Sequence, residues 1–142
     1  MEEIWKRVTD KDDKAAYGYA QQIIAASAGS DKYLALIPTF AGLLEDSSSY
    51  VRTRGFVLIC AQARWAEDRG IKEVWERMMP LLQDSKPTVV RQCLHALEEV
   101  ALYRPEMSEK IEKALDGIDI CRYRDSMAPL IEKDIARLRK LL

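Results

Sequence analysis

The residues best suited to metal binding or nucleophilic chemistry are few and widely separated in this chain of 142 residues. Its three cysteines are Cys60, Cys93 and Cys121, and His95 is the single histidine. Zinc and iron–sulfur sites usually contain Cys-x-x-Cys pairs, whereas these cysteines lie 33 and 28 positions apart. We therefore expect neither a metal site nor a cofactor. Cys121 is predicted to lie in a loop, where its thiol could be reactive.

The same residues do not form a recognisable catalytic group. Cys93 and His95 are two positions apart, and side chains with that spacing diverge on a helix. The adjacent carboxylates of Glu98 and Glu99 also diverge, so they do not form an acid–base pair. None of the six glycines belongs to a phosphate-binding loop. The sequence thus predicts a protein that is not an enzyme, with His95 on a solvent-exposed helix face.

The composition narrows the class of protein and of partner. Hydrophobic residues make up 48% and charged residues 32%, which is typical of one folded domain. A formal net charge of −1 leaves no excess of positive charge to attract nucleic acid or an anionic membrane. No apolar stretch approaches the roughly 18 residues of a membrane span, and the N-terminal residues lack the apolar run of a signal peptide. We therefore expect a soluble, cytoplasmic protein that binds neither nucleic acid nor a membrane.

Apolar residues recur at helical spacing along the chain, and no segment alternates as a strand would. One such stripe consists of Ile71, Val74, Trp75, Met78, Met79 and Leu82. The periodicity predicts an all-α protein with Trp75 in its core and a short helical turn before Val8. The longer helices are predicted at residues 11–27, 31–45, 48–65, 70–83, 86–103, 105–116 and 126–142. Pro38 and Pro80 are expected to kink or shorten the two helices that contain them.

A sequence repeat relates the middle helices to each other. Residues 43–52, with the sequence LLEDSSSYVR, recur as residues 81–91, with the sequence LLQDSKPTVVR. The aspartates of the two copies are 38 positions apart and the Val-Arg pairs are 39 apart, because the second copy has one extra residue in its turn. A period of this length that holds two helices predicts an α-solenoid, in which each hairpin buries its apolar face against its neighbours.

The repeat resembles the HEAT-repeat signature, in which Leu-Leu-x-Asp precedes a Val-Arg pair at the start of the next helix. The specific match covers residues 43–104, and the flanking segments join it by their helical pattern. The resemblance, which extends to compact bacterial HEAT-like proteins, implies a right-handed α-α superhelix in one domain, residues 1–142. The implied units are three HEAT-like hairpins at residues 10–45, 46–83 and 84–117 and a capping helix at 126–142. A structural ladder of ion pairs is also implied, formed by Asp46, Arg52, Asp84 and Arg91.

The resemblance implies a non-enzymatic scaffold or adaptor that binds another protein. The second helices of successive hairpins line the groove of a solenoid, here the helices at 31–45, 70–83 and 105–116. An arginine beside an aromatic residue recurs at matching repeat ends, as at Trp65, and suits an interface hot spot. Packing of the helix end remains the favoured role of Trp65. The candidate partner-binding residues are Arg52, Arg54, Arg64, Trp65, Arg91 and Arg104.

Two alternative functions stay open. HEAT-like alkylpurine DNA glycosylases share the implied architecture, and a continuous face built from Arg52, Arg54 and Arg91 would favour DNA binding. Burial of Arg52 and Arg91 in pairs with aspartates would instead indicate a structural role. The chain could also be an accessory subunit of a larger assembly, which the sequence does not distinguish from a scaffold. The identity of the partner and the oligomeric state are likewise open.

The repeat alignment makes a prediction about stability. Leu58 and Leu97 occupy the same repeat position, so each should fill an equivalent site in the core. Leu58→Ala and Leu97→Ala should each lower the free energy of unfolding by about 2–5 kcal/mol, measured by chemical denaturation. A negligible loss at either position would contradict the alignment.

Overall fold

The computed structural model describes residues 2–67 and 69–142, and within these ranges the chain is all-helical, without strands. The prediction of an all-α protein is therefore confirmed. Eight α-helices are present in the described ranges, and their bounds are α1 (Glu2–Val8), α2 (Asp13–Ser27), α3 (Ile37–Ala41), α4 (Ser49–Cys60), α5 (Gly70–Met78), α6 (Pro87–Tyr103), α7 (Ser108–Asp116) and α8 (Ala128–Arg139). Among these helices, none combines the length and the apolar character that a membrane crossing requires.

Two helices predicted as long are short because of proline. The predicted helix at 31–45 contains only the five residues of α3, preceded by a 3₁₀ turn at Leu34–Leu36 and followed by turns. Pro38 lies in the first turn of α3, where its missing N–H leaves no helical hydrogen bond unmade. The predicted helix at 70–83 is α-helical to Met78 and continues as a 3₁₀ segment at Met79–Gln83 that contains Pro80. Pro80 has no N–H to donate to the carbonyl of Glu76, four residues earlier, which explains why the α-helical hydrogen-bond pattern ends here.

The four helices α2, α4, α6 and α8 lie side by side in one row, and α3 packs against α4 on one side of it. Hydrogen bonds show that α2, α4 and α6 are parallel. Lys86 Nζ donates to Ser49 Oγ at 3.0 Å where α6 and α4 begin. Arg64, just after α4, donates both to the carbonyl of Ala28 and to the hydroxyl of Tyr103, each at 2.6 Å, where α2 and α6 end.

Helix α4 is the most enclosed element of the core. Nine of its 12 residues are buried, and it contacts α2, α3, α5 and α6. Leu58 and Leu97 are both 0% exposed, and the side chain of Trp75 is buried as the sequence predicted. Because α4 is covered on most sides, it lacks the separate polar face of a surface helix, and even Ser49, Thr53 and Arg54 are buried.

The chain of α3 and the turn after it approach α4 closely at Gly55. A Cβ atom at this position would lie 2.8 Å from both Leu43 Cβ and the carbonyl oxygen of Phe40. Since one of these atoms belongs to the backbone, the contact cannot be relieved by a rotation of a side chain. The absence of a side chain at Gly55 therefore sets the distance between α4 and the segment before it.

Two glycine substitutions test this packing. Gly55→Ala should destabilise the protein by about 1–3 kcal/mol, because the added methyl group overpacks the core. Gly18→Ala is the matched control, since its added methyl group would meet no neighbouring element within 4 Å on the exposed face of α2. It should stabilise the protein by about 0.5–1 kcal/mol through helix propensity. Thermal unfolding of both variants measures the difference, and equal effects would contradict the close contact at Gly55.

Candidate functional site

A groove of about 800 Å³ runs over α4 and is bounded by α2 and α6. The helices predicted at 31–45, 70–83 and 105–116 do not line this groove. The groove lies instead on the first helix of each predicted hairpin, because α2, α4 and α6 are long and parallel, whereas Pro38 and Pro80 shorten two of the others. A smaller hollow of about 550 Å³ lies between α3 and α5.

Small side chains form the floor of the groove. Thr53, Val57 and Ala61 follow one another at intervals of four residues along α4, so they form one ridge of that helix. Ile24 from α2 and Ala96 from α6 line the two walls. A floor of small residues lets another element approach the backbone of α4 closely, and the apolar walls favour an occupant with an apolar face.

Two tyrosines mark the rim of the groove. Tyr17 on α2 is 58% exposed and Tyr50 on α4 is 64% exposed. Tyrosine supplies a large apolar ring with a polar end, and it is enriched where proteins bind one another. Sequence reasoning missed both residues, because a tyrosine in a helical pattern gives no sign of which helix face stays uncovered.

Arg54 was predicted to face a partner, and the structure places it inside the fold. It is 7% exposed, and its Nη1 donates to the carbonyl of Val8 at 3.0 Å. Its Nη2 donates to Asp13 Oδ1 at 2.8 Å, so the charge is neutralised at the edge of the groove. The side chain joins α4 to the start of α2. Because the guanidinium is buried and bonded within the fold, it is not free to bind a ligand.

Arg52 also forms internal bonds, and these connect the two copies of the sequence repeat. Its Nη2 donates to Asp84 Oδ2 at 2.9 Å, and its Nη1 donates to the backbone carbonyls of Asp46 and Ser47, both at 3.0 Å. The Asp46 carboxylate itself accepts the N–H of Ser48 at 2.9 Å. Asp46 thus contributes its carbonyl to Arg52, while the ion pair runs to the aspartate of the next copy.

Arg91 pairs with an aspartate that the sequence did not suggest. Its Nε donates to Asp134 Oδ2 at 2.7 Å, and Asp134 belongs to α8 rather than to a repeat turn. The side chain of His95 is 50% exposed, in agreement with the solvent-exposed helix face predicted for it. Its Nε2 nevertheless lies 2.9 Å from Asp134 Oδ1. Desolvation of the buried carboxyl raises the pKa of Asp134. The hydrogen bonds from Arg91 and His95 have the larger effect, so the pKa lies below its ordinary value.

Trp65 and Arg104 take part in packing at helix ends. The indole N–H of Trp65 donates to the carbonyl of Ser27 at 2.7 Å, so this side chain closes the end of α2. Arg104 Nε donates to the carbonyl of Tyr103 at 2.6 Å, and its Nη1 lies 3.7 Å from Glu106 Oε1. Neither side chain lines the groove, whereas Arg64 does.

The three cysteines are free thiols, two of them buried and one exposed. Cys60 and Cys93 are buried, and burial raises the pKa of both thiols far above the ordinary value. Neither is therefore an activated nucleophile. Cys121 is exposed in the turn before α8. In the part of the chain that the structure describes, no three His, Cys, Asp or Glu residues are grouped so that they could hold a metal ion.

Comparison with known proteins gives no match, whether with protein-family models, with curated proteins or with solved structures. The site must therefore be interpreted from its own geometry. What the geometry offers is a groove with a floor of small side chains and exposed tyrosines at its rim, in a protein whose arginines at 52, 54 and 91 bond inside the fold.

The cluster around Asp134 predicts a pH-dependent contribution to stability. Because its pKa is lowered on folding, Asp134 stabilises the protein above the unfolded value of about 4, and this contribution is lost as the pH falls through the folded value. Asp134→Asn should cost about 1–3 kcal/mol at pH 7, and the difference from the wild type should shrink below about pH 4. Denaturant titrations at several pH values measure it.

Asp116→Asn provides the matched control for this experiment. Asp116 also pairs with an arginine, Arg139, at 2.7 Å, but its side chain is 66% exposed. An exposed pair of this kind contributes at most about 1 kcal/mol, so the control should change little at any pH. If the cost of Asp134→Asn stayed constant down to about pH 2.5, the lowered pKa of Asp134 would be refuted.

Proposed function

We propose that the protein is a HEAT-like α-solenoid that acts as a scaffold or adaptor by binding another protein in the groove over α4. Three features support the architecture. The sequence repeats with a period of about 38 residues. The helices α2, α4, α6 and α8 lie in one row. Arg52 of one repeat copy bonds to Asp84 at the equivalent turn of the next, which ties neighbouring units in register.

The groove is the main support for a binding function. It has a volume of about 800 Å³ and a floor of small side chains, and its lining also includes polar and charged residues. Tyr17 and Tyr50 remain more than half exposed at its rim. Exposed aromatic side chains beside an apolar depression are the usual anchors of a protein interface. A partner that covers them would remove apolar surface from water, which is the main favourable term in protein association.

DNA binding has weaker support than protein binding. A DNA-binding face needs several arginines or lysines free to contact phosphates. Arg52, Arg54 and Arg91, which formed the candidate basic strip, each bond to an aspartate within the fold. A role as accessory subunit of a larger assembly would use the same groove, so it is a form of the protein-binding proposal and is tested with it.

The proposal predicts that binding depends on the two rim tyrosines. A tagged wild-type protein should capture a partner protein in stoichiometric amount from a nuclease-treated lysate of its own cells. The double variant Tyr17→Ser/Tyr50→Ser should reduce that capture by about tenfold or more, because interface tyrosines often contribute over 1 kcal/mol each. Mass spectrometry of the captured material, with circular dichroism to confirm folding, provides the measurement.

Leu102→Ser is the matched control for the tyrosine variant. Leu102 is 57% exposed on α6 and does not line the groove, so its loss removes a similar exposed apolar surface elsewhere. Capture should be unchanged in this variant. The proposal fails if the double variant captures as much partner as the wild type. It also fails if only nucleic acid is recovered from the untreated lysate and disappears on nuclease treatment.

A further inference from the structure

Arg64 differs from the other arginine that lines the groove. Arg54 is neutralised by Asp13, whereas Arg64 has no carboxylate within 4.0 Å among the described residues. Its two hydrogen-bond partners are neutral, namely the carbonyl oxygen of Ala28 and the hydroxyl of Tyr103. A charged guanidinium thus lies at the groove, held in position by the ends of α2 and α6 but without a counter-ion in the described part of the chain.

The hydrogen-bonding capacity of Arg64 is only partly used. A guanidinium has five N–H donors, and the two bonds to Ala28 and Tyr103 occupy one on each terminal nitrogen. The Nε atom is buried without a partner among the described residues. Each terminal nitrogen therefore keeps one further N–H group, and a carboxylate is the acceptor that such a pair fits best.

The position of the Arg64 guanidinium is also fixed. It lies over the ring of Tyr103, 4.4 Å from the centroid, in addition to its bonds at 2.6 Å on both sides. A cation held in this way loses little conformational entropy when it binds an anion. The Arg64 side chain is thus preorganised to bind a negatively charged group at the end of the groove where α2 and α6 end.

The charge of the whole groove agrees with an acidic occupant. Its lining contains the cations Lys14, Arg54 and Arg64 and the anions Asp13 and Glu99, which leaves one positive charge in excess. Asp13 is already paired, so Glu99 is the one carboxylate of the lining without an ion pair among the described residues. Lys14 lies near the opposite end, where α2 begins, and it likewise has no described ion pair.

We propose that the groove binds an amphipathic helix of a partner protein, with its apolar face on the floor of α4 and an aspartate or glutamate bonded to Arg64. This inference rests on the proposed function and specifies the chemistry of the partner. The ridge of Thr53, Val57 and Ala61 suits a helix, because ridges of side chains at intervals of four pack into the grooves of another helix. From Ser49 to Cys60 the helix α4 rises over 11 residue steps, about 16 Å, which corresponds to about three turns of a partner helix.

Designed peptides test the proposal directly. The probes are three fluorescein-labelled peptides of about 16 residues, each with a Leu/Ala apolar face on a helix-forming sequence. They differ only in the residue at the end of the apolar face, which is Glu, Gln or Lys. Fluorescence anisotropy with the intact wild-type protein should give the affinity order Glu, then Gln, then Lys, with the Glu peptide at least about tenfold tighter than the Gln peptide.

Two arginine variants assign this preference to a residue. Arg64→Gln should remove the difference between the Glu and Gln peptides, while Arg64→Lys should retain part of it. Arg104→Gln is the matched control, because Arg104 also bonds to Tyr103 but does not line the groove, and it should leave the difference intact. If Arg64→Gln does not fold, the order of the three peptides on the wild type still decides whether the groove selects a negative charge.

The outcomes separate this inference from the proposed function. An equal preference for the Glu peptide in the wild type and in Arg64→Gln would overturn the role of Arg64. Failure of all three peptides to bind would overturn a helical occupant, and so would binding that survives Tyr17→Ser/Tyr50→Ser. In those cases the capture experiment still tests whether the groove binds a partner of another kind, so a failed inference does not conceal a correct function.

Discussion

The enclosure of α4 is the constraint on which the other features depend. Its residues contact helices on several sides, and Phe56, Leu58 and Ile59 are fully buried. A helix with so much apolar surface is stable only when its neighbours are present, since isolated helices of 12 residues are marginal in water. The close contact at Gly55 shows how near those neighbours come. The fold is thus built around one central helix, and the open strip of that helix becomes the floor of the groove.

The arginines explain how the row of helices is held in register. Arg52, Arg54 and Arg91 extend from α4 and α6 to aspartates on neighbouring segments, so their charges are neutralised within the fold. A partly buried bidentate or multiply bonded arginine adds geometric specificity, because its planar fork accepts only a narrow range of partner positions. The same pairing means that these three guanidinium groups do not form a strip of unpaired positive charge. The groove keeps one structurally fixed guanidinium without a carboxylate in the described structure, that of Arg64.

The residue proposed to bind a partner also takes part in packing at the ends of the parallel helices. Arg64 joins the ends of α2 and α6 across the end of the groove, and Trp65 beside it closes the end of α2. A ligand that bonds to Arg64 would contact a group that already connects three helices. Because the packed core fixes these helices, the groove is formed without any ligand, and a preformed groove would lower the entropic cost of binding.

Local sequence determined the helical class, the approximate positions of the helices, the burial of Trp75 and the equivalence of the two repeat copies, because spacing and turn residues act over a few positions. It also indicated that Pro38 and Pro80 would shorten their helices. Tertiary structure alone decided that Arg91 pairs with Asp134, 43 positions away, and that Arg54 is buried. It also decided that the groove lies on α2, α4 and α6, with Tyr17 and Tyr50 at the rim. The physical reason is that periodicity shows which face of a helix is apolar, whereas its coverage depends on how distant helices pack.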